Sequence, residues 1–149
     1  MRAVVQRVSR ASVTVDAQVV GAIEGGLAVL LSVGVDDDER DAHAIAEKIA
    51  GLRIFTDEQG LMNRSVVETG GAVLLVSQFT LHGDARRGRR PSFVAAAKEP
   101  AARTLYELAG RDLEARGIPV DYGRFGAKME LELVNTGPVT LLLDTKRAF

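Results

Sequence analysis

The residues best equipped for chemistry lie in the run SQFTLHGDARRGRRPSF, from Ser77 to Phe93. Ser77, Gln78 and Thr80 bring two hydroxyls and an amide together. Arg86, Arg87, Arg89 and Arg90 follow, interrupted by Gly88 and closed by Pro91. A hydroxyl can attack or bind a carbonyl, and guanidinium groups meet phosphate through paired N–H donors. This spacing points to chemistry on an anionic substrate. A plainer reading stands beside it: Ser and Thr at a strand exit bond the local backbone, and arginines in a loop are solvated. A hydroxyl nucleophile also needs a base. The nearest histidine in sequence, His82, has no orienting carboxylate unless Asp84 serves, and no GxSxG motif is present.

A second constellation is NTGPVT, Asn135 to Thr140. A Gly-Pro bond carries a low cis penalty, and in the cis form the carbonyls of Gly137 and Pro138 would turn in nearly the same direction, enough to hold an ammonium group. From the residues alone, a plain turn with Gly supplying unusual dihedrals and Pro fixing φ is the simpler reading.

Composition narrows the chemistry. The 149 residues suit one domain, 1–149, with a real hydrophobic core. The 19 Lys and Arg nearly balance the 20 Asp and Glu, so a polyanion must be held by a local patch and not by the global field. The absence of cysteine excludes disulfides, thiolate catalysis and Cys-ligated metal. His43 and His82 are too far apart for a helical metal pair, so neither a metal nor another cofactor is expected. The opening MRAVVQRVSR holds too short an apolar run for a signal peptide. Leu27 to Val35, the longest apolar stretch, is about half of a bilayer span. The expectation is a soluble, cytoplasmic protein with no membrane partner.

These side chains need a scaffold, and the periodicities supply one. Arg2 to Val15 alternates apolar and polar residues, as one long bent strand or two. Gln18 to Ile23 repeats the pattern, Gly25 and Gly26 read as a tight turn, and Leu27 to Val33 reads as a central strand of an antiparallel meander. Asp36 to Asp38 suit a helix N-cap before Ala42, Ile45, Ala46, Ile49 and Leu52, with His43 off the apolar stripe and solvated. Arg53 to Thr56 reads as a short strand and Asp57 to Asn63 as a turn. Ala72 to Val76 reads as the buried strand that delivers Ser77. A second helix starts near Pro100, buries Leu105, Leu108, Ala109 and Leu113, and stops at Gly117. Strands follow at Ile118 to Tyr122, Lys128 to Val134 and Val139 to Leu143, the last two separated by the NTGP break. The sum is a compact, strand-rich α+β domain with two main helices packed on an antiparallel or mixed sheet.

SQFTL, the following Gly83-Asp84, RPSF at Arg90 to Phe93 and NTGPVT, with AVVQRVSRASVTV, LRIF, Met62-Asn63 and GRFGAKM in matching order, resemble the D-aminoacyl-tRNA deacylases of the D-tyrosyl-tRNA deacylase family. The resemblance covers essentially the whole chain and implies that family's fold. It also implies a homodimer in which SQFTL of one subunit faces a cis Gly137-Pro138 of the other. On that carry-over, Ser77, Gln78, Phe79 and Thr80 form the catalytic stretch. Backbone groups around Phe79 and Thr80 polarise the ester carbonyl, while Ser77 and Gln78 line the adenosine pocket. Phe125 and Met129 add contacts to the terminal adenosine, Arg7 braces the Gly-Pro loop, and Arg86, Arg87 and Arg89 meet tRNA phosphates.

The implied reaction is hydrolysis of D-aminoacyl-tRNA, and of mischarged glycyl-tRNA, which carries no stereocentre to reject. Water assisted by the substrate's 2′-hydroxyl attacks in preference to Thr80. The family commonly carries an acidic residue where Thr136 and Lys128 stand here. Three alternatives compete. A sibling L-alanyl-tRNA deacylase of the same fold would differ at SQFTL. A non-catalytic tRNA-binding module would want more aromatic platforms than a chain without Trp offers. The third is a generic serine or threonine esterase.

Overall fold

The computed structural model describes residues 1–149. Its frame is one long hairpin. Strand β1 (Arg2–Val15) runs unbroken, and β2 (Gln18–Ile23) and β3 (Gly26–Ser32) lie end to end along the same edge of it. Ile23 pairs with Ala11 and Gly26 with Val8, so the chain keeps its direction through Gly25. The expected meander is therefore corrected: the tight turn is at Asp16–Ala17, both at positive φ (49° and 63°), the hand that a two-residue hairpin turn requires. Gly25–Gly26 is a bend from which β3 goes on pairing with β1 and takes up β6 on its other edge.

After β3 the carboxylate of Asp38 accepts from the N–H groups of Arg40 and Asp41 and opens helix α1 (Glu39–Gly51). Ala42, Ile45, Ala46 and Ile49 face the core, as their spacing predicts. Strands β4 (Phe55–Thr56) and β5 (Met62–Arg64) form a small separate hairpin, so part of the segment read as a turn is extended. A one-turn helix α2 (Val66–Thr69), capped by Ser65, adds an element beyond the two expected helices. Strand β6 (Ala72–Ser77) then pairs parallel to β3, helix α3 (Ala101–Ala115) crosses over the sheet, and β7 (Val120–Tyr122) pairs parallel to β6.

The chain ends in β8 (Glu130–Asp144), which pairs with β1 along nearly its whole length. The NTGP segment does not break it: the register slips between Gln6 and Val8 and again between Val8 and Arg10, which makes it a bulge inside one strand. On the far side, the carboxylate of Asp121 accepts from the Ala22 N–H at 2.9 Å, so β7 leans onto β2 and the sheet nearly closes into a barrel. The main core lies between this sheet and helices α1 and α3, and a smaller apolar cluster fills the bent half of the hairpin. No helix is long and apolar enough to cross a membrane.

Candidate active site

Strands β3 and β6 end together, Leu31 beside Ser77. Beyond that row the chain stops being a strand: Gln78 turns it into a short 3-10 helix, Phe79–His82. Ser77 alone of the polar trio is therefore on the strand. Thr80 is exposed on the 3-10 turn, and its Oγ1 accepts from the Gln78 amide at 2.5 Å.

A cavity of about 480 Å³ opens at this edge. Ser77, Gln78 and Phe79 line one wall and Phe125, Ala127 and Met129 another, which brings together the four residues expected around the adenosine, Ser77, Gln78, Phe125 and Met129, with Phe79 of the stretch expected at the ester carbonyl. Phe79 packs edge-on to Phe93 with ring centroids 5.2 Å apart. Phe125 lies 5.3 Å from the Tyr106 ring and carries the Arg103 guanidinium 4.7 Å from its centroid. Flat apolar walls with a few polar groups at one end suit an aromatic base attached to a polar ribose.

Tyr106 and Ser32 also line this cavity, and neither was anticipated. Tyr106 sits on the apolar face of α3, where an aromatic reads as core. Its hydroxyl donates to the Leu75 carbonyl at 2.8 Å, and burial pushes its pKa well above the ordinary tyrosine value. Ser32, inside a long apolar run, is a buried polar exception, and that exception is the signal that would have found it.

Thr80, Arg7, Gly137 and Pro138 do not line the cavity. Gly137 and Pro138 are exposed, and the bond between them is cis. The bulge that carries them is tied down internally: Asn135 Nδ2 donates to the carbonyls of Arg7 and Val139, each at 2.9 Å. The half-buried Arg7 donates through Nη1 to the Ile54 carbonyl at 2.6 Å and through Nε to the Thr136 carbonyl at 3.3 Å. Gly137 has φ +113°, and a Cβ there would stand 2.8 Å from Arg7 Nη2, so the position takes only glycine without strain.

The register sets the distance between the two motifs. Ser77 lies in a row with Leu31, Ala3 and Leu143. Thr140 pairs with Gln6, three residues further along β1, about 10 Å at ~3.3 Å per residue, and Gly137–Pro138 lies beyond that.

The arginine loop is pinched at its base by paired backbone bonds between Asp84 and Ser92, at 2.8 and 2.9 Å. Arg86 is held: Nε and Nη2 donate to the Asp84 carboxylate at 2.9 and 2.6 Å, and these bonds keep that carboxyl well below the usual range. Asp84 is thus committed to Arg86 and does not orient a base for Thr80. Arg87, Arg89 and Arg90 are exposed and form no ion pair.

His82, for which the sequence offers no orienting partner but Asp84, is buried, with Nδ1 2.6 Å from Ser32 Oγ. His43 is not simply solvated: its Nδ1 lies 2.7 Å from Asp112 Oδ2 on α3. No group of His, Asp or Glu side chains is placed to hold a metal.

An aromatic cavity outside the carboxyl ends of two parallel strands, flanked by a basic loop, marks an α+β protein built to receive a flat group on an anionic ligand. The chain belongs to the D-tyrosyl-tRNA deacylase family: the profile described as D-Tyr-tRNA(Tyr) deacylase matches residues 4–144. It is similar to the D-aminoacyl-tRNA deacylase of Koribacter versatilis (strain Ellin345), 61% identical with 100% of both chains covered. That of Thermus aquaticus is 57% identical, with 97% of this chain and 95% of the relative covered. Among solved structures, a c-Myc DNA Unwinding Element Binding Protein superposes with TM-score 0.91 at 37% identity, over 97% of this chain and 99% of the other. A probable eukaryotic D-amino acid tRNA deacylase shares the fold, with TM-score 0.81 at 19% identity over 95% and 97% of the two chains.

Proposed function

We propose that this deacylase, a carboxylic ester hydrolase of the cytoplasm, uses residues 1–149 as one catalytic domain and completes its site only between two copies of the chain. The ester joins an amino acid to the 3′-terminal ribose of tRNA. Hydrolysis adds water oxygen to the acyl carbon, returns a proton to the ribose oxygen, and releases free D-amino acid and tRNA. The terminal adenosine enters the cavity between Phe79, Phe125 and Met129, and N–H groups of the 3-10 turn meet the ester carbonyl as negative charge develops on it. Arg87 and Arg89 lie free to meet acceptor-stem phosphates, while Arg86 must first leave Asp84.

The observation that carries the shared site is the distance between motifs. In an aminoacyl ester the α-amino nitrogen lies only ~2.5 Å from the carbonyl carbon. One chain cannot hold the carbonyl at Phe79–Thr80 and the amine at Gly137–Pro138 when their rows are separated by about 10 Å or more. A second copy can bring its exposed Gly137–Pro138 to the cavity. Selection for the D-ester is then rejection of the L-side chain by the partner's loop, and glycyl-tRNA, with no side chain to reject, is a second substrate.

Complementation tests the shared site. A Gly137→Val variant and a Phe79→Ala variant, each inactive alone, should regain D-aminoacyl-tRNA hydrolysis when co-refolded, because a mixed dimer contains one intact site. No recovery despite demonstrated mixed dimers would overturn the shared site.

A further inference from the structure

His82 follows the Phe79–Thr80 peptide in the same 3-10 turn and points away from solvent into the protein. Its Nδ1 lies 2.6 Å from Ser32 Oγ, and that oxygen lies 3.4 Å from the Phe79 carbonyl. Ser32 is the last residue of β3 and lines the cavity. One buried hydroxyl therefore stands between an imidazole and the peptide bond that carries the Thr80 N–H.

We propose that Ser32 and His82 are positioning residues of the deacylase: their hydrogen-bonded pair locks the 3-10 turn to the end of β3 and fixes where the Phe79–Thr80 peptide meets the ester carbonyl. This rests on the catalytic role proposed for that peptide. A turn this short has little stiffness of its own. The ends of the turn are held by backbone bonds from Leu81 N–H to the Gln78 carbonyl at 3.2 Å and from Gly83 N–H to the Thr80 carbonyl at 2.9 Å. Two further anchors reach it from the sheet: Gln78 N–H donates to the Leu31 carbonyl at 2.8 Å, and Arg2 Nη1 donates to the Leu81 carbonyl at 3.0 Å.

The surroundings favour a neutral imidazole. Burial, and then the neighbouring Arg2 guanidinium on β1, lower the His82 pKa below its ordinary value, and the Met1 amino group acts the same way. Asp37, in the segment after β3, and Asp144 at the end of β8 oppose them. Both acids are engaged: Asp37 with the Met1 amine at 2.8 Å and Asp144 with Arg2 Nε at 2.9 Å. Nε2 faces Gly34 on the side where Asp37 lies, since a Cβ on Gly34 would meet both atoms. With its proton on Nε2 the ring accepts Ser32 Oγ–H at Nδ1; with it on Nδ1 the ring donates to Oγ and frees the hydroxyl proton for the Phe79 carbonyl, the arrangement that makes both contacts. A second proton, arriving as pH falls, leaves Nδ1 only a donor and adds a cation beside Arg2.

Single-turnover and steady-state kinetics on D-aminoacyl-tRNA test the pair. Ser32→Ala, which removes one atom, should lower kcat about ten-fold with KM within about two-fold, less than the ~10²-fold of losing an oxyanion donor outright. His82→Ala should do the same. Wild type should show an acid limb below the ordinary histidine range, and His82→Asn, whose amide can occupy the place of Nδ1, should recover at least half of kcat and lack that limb. Wild-type kcat in Ser32→Ala would overturn the proposal, as would His82→Asn no better than His82→Ala, or an acid limb that persists in His82→Asn. Trapping of an acyl group on Ser32 would replace positioning by nucleophilic attack. A wild-type protein that leaves D-aminoacyl-tRNA intact would instead remove the reading on which the pair's role depends.

Discussion

Arg7 is the point where sequence, fold and function meet, and its removal has a calculable cost. The guanidinium reaches from β1 to two carbonyls on otherwise separate segments, Ile54 at 2.6 Å and Thr136 at 3.3 Å. A charge-assisted bond of good length contributes about 1.5–3 kcal/mol, and the longer one adds about 0.5–1 kcal/mol. Arg7→Ala should therefore destabilise the fold by about 3 kcal/mol. For a chain of this size, with a loss of about 2–4 °C per kcal/mol, the thermal midpoint should fall by roughly 6–12 °C. Arg7→Lys keeps the charge but lacks the planar fork, so it should recover no more than about half of the loss. Circular dichroism melts of the three proteins, at one protein concentration, make the comparison. Hydrolysis of D-aminoacyl-tRNA at 25 °C, well below each midpoint, should also fall, because the bulge carrying Gly137 loses its brace. A midpoint within about 2 °C of wild type, or complete recovery by lysine, would refute the reasoning that the two-carbonyl fork holds this bulge.

Thr80 has no base within reach: His82 faces Ser32, Asp84 is taken by Arg86, and Thr80 Oγ1 accepts from Gln78. Thr80→Ala should keep kcat within about ten-fold of wild type in single-turnover assays, and a loss as large as the ~10⁴-fold or more typical of removing a nucleophile would restore attack by threonine. Burial alone would raise the pKa of Asp41. Its bonds to Lys146 and Thr145, with the Asp38 N–H at 3.0 Å, instead hold the carboxyl down to about 2 against an ordinary 3.8. A depressed pKa contributes stability above the unfolded value, here about 2 kcal/mol, and that contribution disappears as pH falls from about 4 through about 2. Denaturant titrations between pH 7 and pH 2 should show Asp41→Asn less stable at neutral pH and flatter across that window. Parallel profiles would mean that the ion pair with Lys146 contributes nothing.

The parts of the molecule legible in the sequence are those set by periodicity. The alternation of Arg2 to Val15, the apolar stripes of α1 and α3 and the apolar run of β6 each correspond to a face that must be buried. Turn chemistry misled where a tertiary contact decided. Gly25–Gly26 looks like a hairpin turn, yet it is a bend that lets the backbone approach β6, and the true turn at Asp16–Ala17 carries no glycine. NTGP looks like a break because Gly and Pro interrupt the alternation, but Asn135 bridges its own bulge and β8 continues. The site was legible as two motifs and a basic loop. Its pairings were not, because the contacts of His82 with Ser32 and of Tyr106 with Leu75 span 50 and 31 residues of sequence. The bond from Arg86 to Asp84 was the exception, local enough to have been expected from the spacing alone.

A strand-end platform that holds the ester and a Gly-Pro loop that rejects the L-side chain require hydrolysis of one enantiomer only. Matched D- and L-aminoacyl-tRNA, charged with the same amino acid on the same tRNA and followed for ester loss under single-turnover conditions, test it directly. The D-ester should be lost rapidly and glycyl-tRNA should be lost as well, while the L-ester should decay no faster than without protein. Equal loss of both enantiomers, or binding of both with no loss of ester, would contradict it.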